Sequence, residues 1–288
     1  MEYKVVSNVL VAIKNLIKNP VVVLTAHYSG KNRVNAIGNA LEAYIKDLFA
    51  NTLLCDDEYS KLHAYNEVFS YTGNQNNPPD IILRNGDAIE VKKVQTNANA
   101  LALNSSYPKD RLYADSPMIT RECRNCEHWD IKDIIYAVGN ATDADLKELW
   151  FIYGNCYAAD KAVYERFRNI ITTGLHSIPS IELTETNELG KIKRVDPLGI
   201  TDLRVRGMWS VSHPKKVFDF LPKQNISSSF KFYCIMKSEK FEEFPDEDRR
   251  NLLALRNNKT FFIQDVRIKN PNNPAQLIPA KFMEFYHG

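Results

Sequence analysis

The sequence predicts an α/β fold: a central mixed β-sheet flanked by helices, followed by a more β-rich C-terminal half. Three patterns predict it. The first 75 residues read mainly as helix, because apolar residues recur there at helical spacing. The middle of the chain carries short runs rich in Ile, Val, Tyr, Trp and Phe, bounded by turn residues, as strands require. Beyond residue 180 the pattern changes to short strands and turns. With 288 residues, 44% hydrophobic and 25% charged, the chain can bury one substantial core. One domain is expected over 1–288, with a helical N-terminus and core to about 178 and a β-rich part over about 179–288.

In the opening segment, Val5, Val6, Val9, Leu10, Ile13, Leu16 and Ile17 share one helical face, with Lys14 and Lys18 opposite. Pro20 ends that helix. A second is expected over about 32–51, its stripe formed by Val34, Ile37, Leu41, Tyr44, Ile45, Leu48 and Phe49, with Glu42 close to the buried side. The polar run Gly73-Asn74-Gln75-Asn76-Asn77-Pro78-Pro79 breaks helical periodicity. Asp80-Ile81-Ile82-Leu83, an Asn85-Gly86 turn and Ala88 through Val94 then predict a β-hairpin. Strands follow near 132–139 and 149–156, and Asp160 is placed as the N-cap of a helix closed by Gly174. A charged helix near 245–256 opens Pro245-Asp246-Glu247, acids suited to a positive N-terminus. Strands near 229–237, 260–268 and 279–286 complete the pattern.

Charge and cysteine usage narrow the class. A net charge of +2 leaves no basic tail, yet nucleic-acid binding needs only local positive charge on one face. No apolar stretch is long enough to span a bilayer, and no small-residue cleavage site follows the opening helix. Five cysteines, Cys55, Cys123, Cys126, Cys156 and Cys234, are an odd count, unlike a secreted disulfide framework. A cytoplasmic protein with no membrane partner is expected. The absence of a Gly-rich phosphate loop argues against an ATP-driven translocating enzyme. Six histidines are scattered, with no pair at i and i+4, so a histidine metal site is not expected.

The hairpin carries the chemistry. Alternation along its second strand puts Glu90 and Lys92 on one face and Lys93 on the other. Asp80 begins the paired strand, within reach of Glu90 once the hairpin closes. Two carboxylates so close repel unless a proton or a metal neutralises them. Carboxylate oxygens with little His or Cys nearby suit a hard ion such as Mg²⁺. An acid pair with an adjacent ammonium suits in-line hydrolysis of a phosphodiester, with Lys92 orienting the water or stabilising the phosphorane.

Pro79-Asp80, nine intervening residues and then Glu90-Val91-Lys92 resemble the signature of the PD-(D/E)XK nuclease superfamily, and Glu42 in Gly38-Asn39-Ala40-Leu41-Glu42-Ala43-Tyr44 matches its upstream helical glutamate. More narrowly, the chain resembles the NgoPII-like type II restriction endonucleases. The carriers are the 38–49 helix, Pro79-Asp80…Glu90-Val91-Lys92-Lys93, Leu103-Asn104-Ser105-Ser106, Cys123-Arg124-Asn125-Cys126 and Val195-Asp196-Pro197-Leu198-Gly199-Ile200-Thr201, spread over about 160 residues. The resemblance implies a restriction-endonuclease-like domain that cuts double-stranded DNA at a short palindrome, an association with GGCC, Mg²⁺ as cofactor, a homodimer, and a cognate DNA methyltransferase as genetic partner. The roles expected are Asp80 and Glu90 on Mg²⁺, Lys92 on the attacking water, and Glu42 at a second metal position or in the metal's water network. The β-rich part is then a candidate for DNA recognition or dimerisation.

Further candidates lie outside the hairpin. The Asn- and Ser-rich segment 95–111, with Tyr107-Pro108-Lys109, follows the catalytic strand and offers Asn104, Ser105 and Lys109 to DNA; a polar connecting loop is the competing account. Leu203-Arg204-Val205-Arg206-Gly207-Met208-Trp209 alternates like a strand with Arg204 and Arg206 on one side, as bidentate guanine contacts or as a solvated edge. Lys93 is assigned to phosphate or to structure. Cys123-x-x-Cys126 has half the spacing of a structural Zn²⁺ site, and two buried or turn cysteines rank above zinc. Three rivals stand beside the restriction enzyme: a repair or junction-resolving nuclease of the same fold, a non-cleaving DNA-binding module, and an RNA-directed nuclease.

Overall fold

The computed structural model describes residues 7–28, 37–74, 77–96, 100–142, 145–179, 182–184, 188–257 and 259–288. Val5, Val6, Val34 and the tip of the polar run at 75–76 lie outside the described residues.

The chain opens with helices α1 (Val9–Lys18), α2 (Leu24–Tyr28), α3 (Ile37–Ala50) and α4 (Glu58–Val68). Asn8 caps α1 through its side chain, and α3 stops where Asn51 turns to a left-handed φ of 56°. Strands β1 (Phe69–Asn74), β2 (Asn77–Leu83) and β3 (Ala88–Val94) follow. The described parts of the polar run thus belong to the end of β1, at Gly73 and Asn74, and to the start of β2, at Asn77–Pro79. Neither α4 nor β1 was marked individually in the sequence, because α4 buries only Val68 and has no apolar stripe to read.

Next come β4 (Leu101–Asn104), β5 (Arg111–Tyr113), α5 (Arg121–Asn125), β6 (Ile131–Thr142), β7 (Asp145–Tyr153) and α6 (Lys161–His176). The strand expected over 149–156 ends at Tyr153, because Gly154–Cys156 form a 3₁₀ turn. Helix α6 runs past Gly174 to His176, where the Ser177 amide closes it; an interior glycine costs a helix only about 1 kcal/mol. Asp160 stands at the N-cap position, yet its side chain bonds Asn272 instead of the helix.

The remaining elements are β8 (Glu182–Thr184), β9 (Gly190–Lys193), β10 (Leu203–Val205), β11 (Trp209–Val211), α7 (Pro214–Val217), β12 (Phe230–Lys237), α8 (Ser238–Glu243), α9 (Asp246–Leu253), β13 (Phe261–Asn270) and β14 (Asn273–His287). One large sheet runs β1-β2-β3-β6-β7-β12-β14-β13, with β5 added to β6. It is mixed: β3 lies parallel to β6 and β7 parallel to β12, and the other neighbours are antiparallel. Strands from both halves of the chain therefore share one sheet.

Both faces of that sheet are covered, so its middle strands are apolar on both sides. On β7, Phe151 packs against Phe49 of α3, with ring centroids 5.9 Å apart, whereas Trp150 faces the opposite layer and stacks on Phe218 at 6.3 Å. Gly139 on β6 sets the approach of α3: an added Cβ would lie 2.6 Å from the Leu41 side chain. Gly139 pairs with Lys93 in register, so this close approach brings α3, and with it Glu42, beside the β2–β3 hairpin. Among the described residues no helix is long and apolar enough to cross a membrane.

One expected strand is split. Residues 203–209 form β10, which pairs with β9, and the start of β11, which pairs with β4 in another sheet. Trp209 explains the break, for it leaves the first sheet to join Tyr164 and Tyr107 edge-on at 5.6 and 6.2 Å.

Candidate active site

The β2–β3 hairpin closes one residue earlier than a two-residue Asn-Gly loop. Gly86 donates its amide to the Leu83 carbonyl at 2.9 Å, so Arg84 and Asn85 are the central residues, and Asn85 takes the left-handed φ of 56°. The turn is clamped from outside. The Glu127 carboxylate accepts the Asn85 amide at 3.0 Å, Lys132 donates to the Gly86 carbonyl at 2.8 Å, and Glu127 and Lys132 pair at 2.5 Å. The register Ile81↔Ile89 and Ile82↔Ala88 is thereby held.

Beyond Ile81 the two strands diverge, and the Asp80 carboxylate fills the gap by accepting the Val91 amide at 2.6 Å. Glu90 and Lys92 project together from β3, joined at 2.6 Å. Lys93 points away and is exposed. Asp80, Glu90 and Lys92 converge as the hairpin argument requires. They line one open cleft with Asn104, Ser105, Ser106, Tyr107, Lys109 and Tyr136.

The electrostatics of the cleft are unbalanced. Glu90 is only 8% exposed; its Oε1 meets Lys92, but Oε2 is buried with no hydrogen-bond partner among the described residues. Burial pushes the Asp80 carboxyl up to about 7, reinforced by the neighbouring Glu90 charge and opposed by the Val91 amide and Lys92. Burial alone would lower the Lys92 pKa, but the charge and hydrogen bond of Glu90, with Asp80, raise it above the ordinary lysine value. A buried carboxylate oxygen without a donor beside a second carboxylate is a place for a cation.

Glu42 lies near enough to add to the negative field on Asp80, and in this state it is paired with Lys46 at 2.6 Å, one turn along α3. Among the described residues no three His, Cys, Asp or Glu side chains converge closely enough to enclose a metal on protein ligands alone.

The 95–111 segment divides. Residues 97–99 lie outside the described residues, Leu101–Asn104 form β4, and Asn104, at a left-handed φ of 52°, enters the cleft with Ser105, Ser106 and Lys109. A second hollow shares Ser105, Tyr107 and Met118 with the first and extends to Arg168 and Arg206. Arg204 and Arg206 do lie together, but both are held by Glu188, at 2.6 and 2.5 Å. Cys123 is buried in α5, and Cys126, half-buried at its end, lies 3.7 Å from the Ser70 hydroxyl. Burial pushes the Cys123 thiol up to about 12, and Cys126 is also raised.

Tyr136 and Gly154 were not marked in the sequence. Tyr136 sits opposite Glu90 in the parallel β3–β6 register and reaches the cleft floor, which only the pairing of distant strands reveals.

Comparison with known proteins identifies the family of the chain. The family model for NgoPII restriction endonuclease matches residues 7–269. The chain belongs to the NgoPII restriction endonuclease family. It is 45% identical over 280 residues to the type II restriction enzyme NgoPII of Neisseria gonorrhoeae, spanning 97% of this chain and 99% of that one. No solved structure matches it. Membership makes this protein a type II restriction endonuclease, a site-specific deoxyribonuclease acting on double-stranded DNA. Enzymes of this class generally use Mg²⁺. The matched region contains the whole cleft, both hairpin strands and α3.

Proposed function

We propose that this enzyme hydrolyses both strands of duplex DNA at a short palindrome with Asp80, Glu90 and Lys92 at the reacting phosphate. The observation that carries the reading is the orphaned Glu90 Oε2 beside Asp80 and Lys92 in an open cleft. Oxygen donors without His or Cys fit Mg²⁺, which keeps several waters and shares its ligands with a phosphate instead of needing a closed protein cage. Asp80 and Glu90 would hold it, with Glu42 supporting a second position or the water network. When bound, it supplies charge stabilisation at the phosphate and acidifies a water.

The chain's own groups do the rest. The Val91 amide fixes one Asp80 oxygen and leaves the other to the cleft. The Lys92 ammonium, held by Glu90, orients the attacking water. As the water oxygen bonds to phosphorus, the opposite P–O ester bond breaks. One new end is a phosphomonoester and the other a hydroxyl, which takes the proton that the water gives up.

From the family resemblance we further propose GGCC as the target, a homodimer whose two-fold matches the palindrome, a methyltransferase encoded with it, and a cytoplasmic setting. We assign the whole chain to one restriction-endonuclease-like domain. Its 179–288 part carries DNA recognition or dimerisation, and Lys93, Asn104, Ser105, Arg204 and Arg206 are its remaining DNA-facing candidates.

Digestion of a sequenced plasmid with and without Mg²⁺, followed by run-off sequencing of the ends, tests the reading. Discrete fragments that require Mg²⁺, and vanish in Asp80→Ala and Lys92→Ala while DNA binding persists, are expected. Ca²⁺ in place of Mg²⁺ should allow binding without turnover. Cutting by DNA shape alone would favour a junction-resolving nuclease, and binding without any nicking a non-cleaving module.

A further inference from the structure

Lys109 is a buried cation with no ion pair among the described residues. It is only 5% exposed, and the charges of Glu90 and Asp110 reach its ammonium only from beyond ion-pair distance. Its contacts are the neutral Ser106 hydroxyl, to which Nζ donates, and the Tyr107 ring, whose centroid is 4.9 Å away. Three N–H donors thus have one acceptor. Buried ammonium groups are ordinarily paired, because removing the charge from water is costly. The other lysine of the cleft, Lys92, has its partner in Glu90.

The position is built. Tyr136, fully buried beneath the cleft, accepts the Lys109 amide at 2.7 Å through its hydroxyl. Gly154, at the end of β7, makes room for the backbone here: an added Cβ would lie 2.3 Å from the Lys109 carbonyl and 2.6 Å from that of Asp110. Tyr107 is fixed in turn by stacking on Tyr164 at 5.3 Å and by donating to Glu165 at 3.2 Å. Residues of three separate segments therefore hold an unpaired ammonium in the wall of the cleft that contains Asp80 and Glu90.

We propose that Lys109 is a further catalytic residue, whose ammonium binds a non-bridging oxygen of the reacting phosphate. This deepens the proposed function and rests on its reading of the cleft. The phosphate is the missing anion, and the ammonium neutralises the charge that builds on its oxygens as water attacks phosphorus. Lys109 forms no covalent bond and transfers no proton. Burial holds its pKa down to about 8 in the free enzyme, against the more distant charges of Glu90 and Asp110, which raise it. The assignment separates two roles: Lys92 serves the acid pair and the water, and Lys109 serves the substrate.

The test uses the full-length enzyme and a duplex whose site and scissile position come from the run-off sequencing. Lys109→Met should cut about a hundredfold more slowly at saturating DNA. It should unfold at a temperature no lower than wild type, because it removes an unpaired buried charge. Lys109→Arg should recover part of the rate. Binding is measured in Ca²⁺ with one methylphosphonate replacing the scissile phosphate. That change should weaken wild type about tenfold more than it weakens Lys109→Met, which keeps only the metal's contact to lose. The wild-type arm needs no variant to fold, and equal losses in both proteins overturn the inference. So does a Lys109→Met rate within about threefold of wild type. If Asp80→Asn also cuts normally, the reading of the whole cleft fails; if Asp80→Asn is inactive, only the role of Lys109 does.

Discussion

The β2–β3 hairpin carries two buried charge clusters, one at Asp87 beside the turn and one at Glu90 in the cleft, and the two are built on opposite terms. At the turn end, Asp87 accepts the Tyr153 hydroxyl at 2.6 Å and the Lys240 ammonium at 2.9 Å, and Lys240 also meets Asp133 at 2.8 Å. Both Asp87 oxygens are engaged, and the cluster ties the turn to β7 and α8 across the sheet. In the cleft, among the described residues, Glu90 keeps an oxygen with no donor, Asp80 is pushed up by burial and by Glu90, and Lys109 forms no ion pair. A completed network contributes stability, whereas an incomplete one stores an attraction for a ligand. The same hairpin thus carries its anchor and its reaction centre within four residues.

That contrast is open to direct attack. The largest effect is expected on the rate from the incomplete end. Glu90→Gln should reduce Mg²⁺-dependent cleavage by about three orders of magnitude, read by single-turnover digestion, with the thermal midpoint kept. Cutting at near wild-type rates would remove Glu90 from the reaction. Next in size, Asp87→Ala should lower stability by about 3 kcal/mol in urea, because it strips a buried lysine and tyrosine of a partner. The folded fraction should still cut normally at low temperature; an inactive but fully stable variant would dissolve the distinction between the two ends.

A smaller effect is expected from pH. Asp80 has its folded pKa raised to about 7, above the value near 4 of an unfolded chain, so the native state holds the extra proton between the two. The stability of the metal-free enzyme should therefore fall as pH rises from about 4 through 7. Asp80→Asn should remove that part of the slope, and identical urea midpoints against pH in both proteins would refute the coupling. The smallest change is expected at the surface. Glu188→Gln frees Arg204 and Arg206 from a shared acid in a solvated setting, where ion pairs contribute little, so stability should barely move. A change in DNA affinity with an altered salt slope would place the two arginines on DNA; an unchanged slope would leave them as structure.

Legibility differed between elements for physical reasons. Helix α3 and the hairpin were readable because their information is local: an apolar stripe at helical spacing, and turn residues between alternating runs. Helix α4 was not, since it buries only Val68, and residues 203–209 misled because alternation does not say which sheet a strand will join. Asp80, Glu90 and Lys92 were found because the spacing of a hairpin brings them together without help from the rest of the chain.

By itself, then, the sequence determined the fold class, the hairpin and the convergence of Asp80, Glu90 and Lys92 on it, the last two products of neighbours within about fifteen residues. Tertiary structure alone decided which charges would lack partners. That property depends on α3 seated against Gly139, on Tyr136 placed beside Glu90 by a parallel pairing, and on Gly154 admitting the Lys109 backbone. Burial and the absence of a counter-charge are relations among segments far apart in the chain, and no local pattern of residues encodes them.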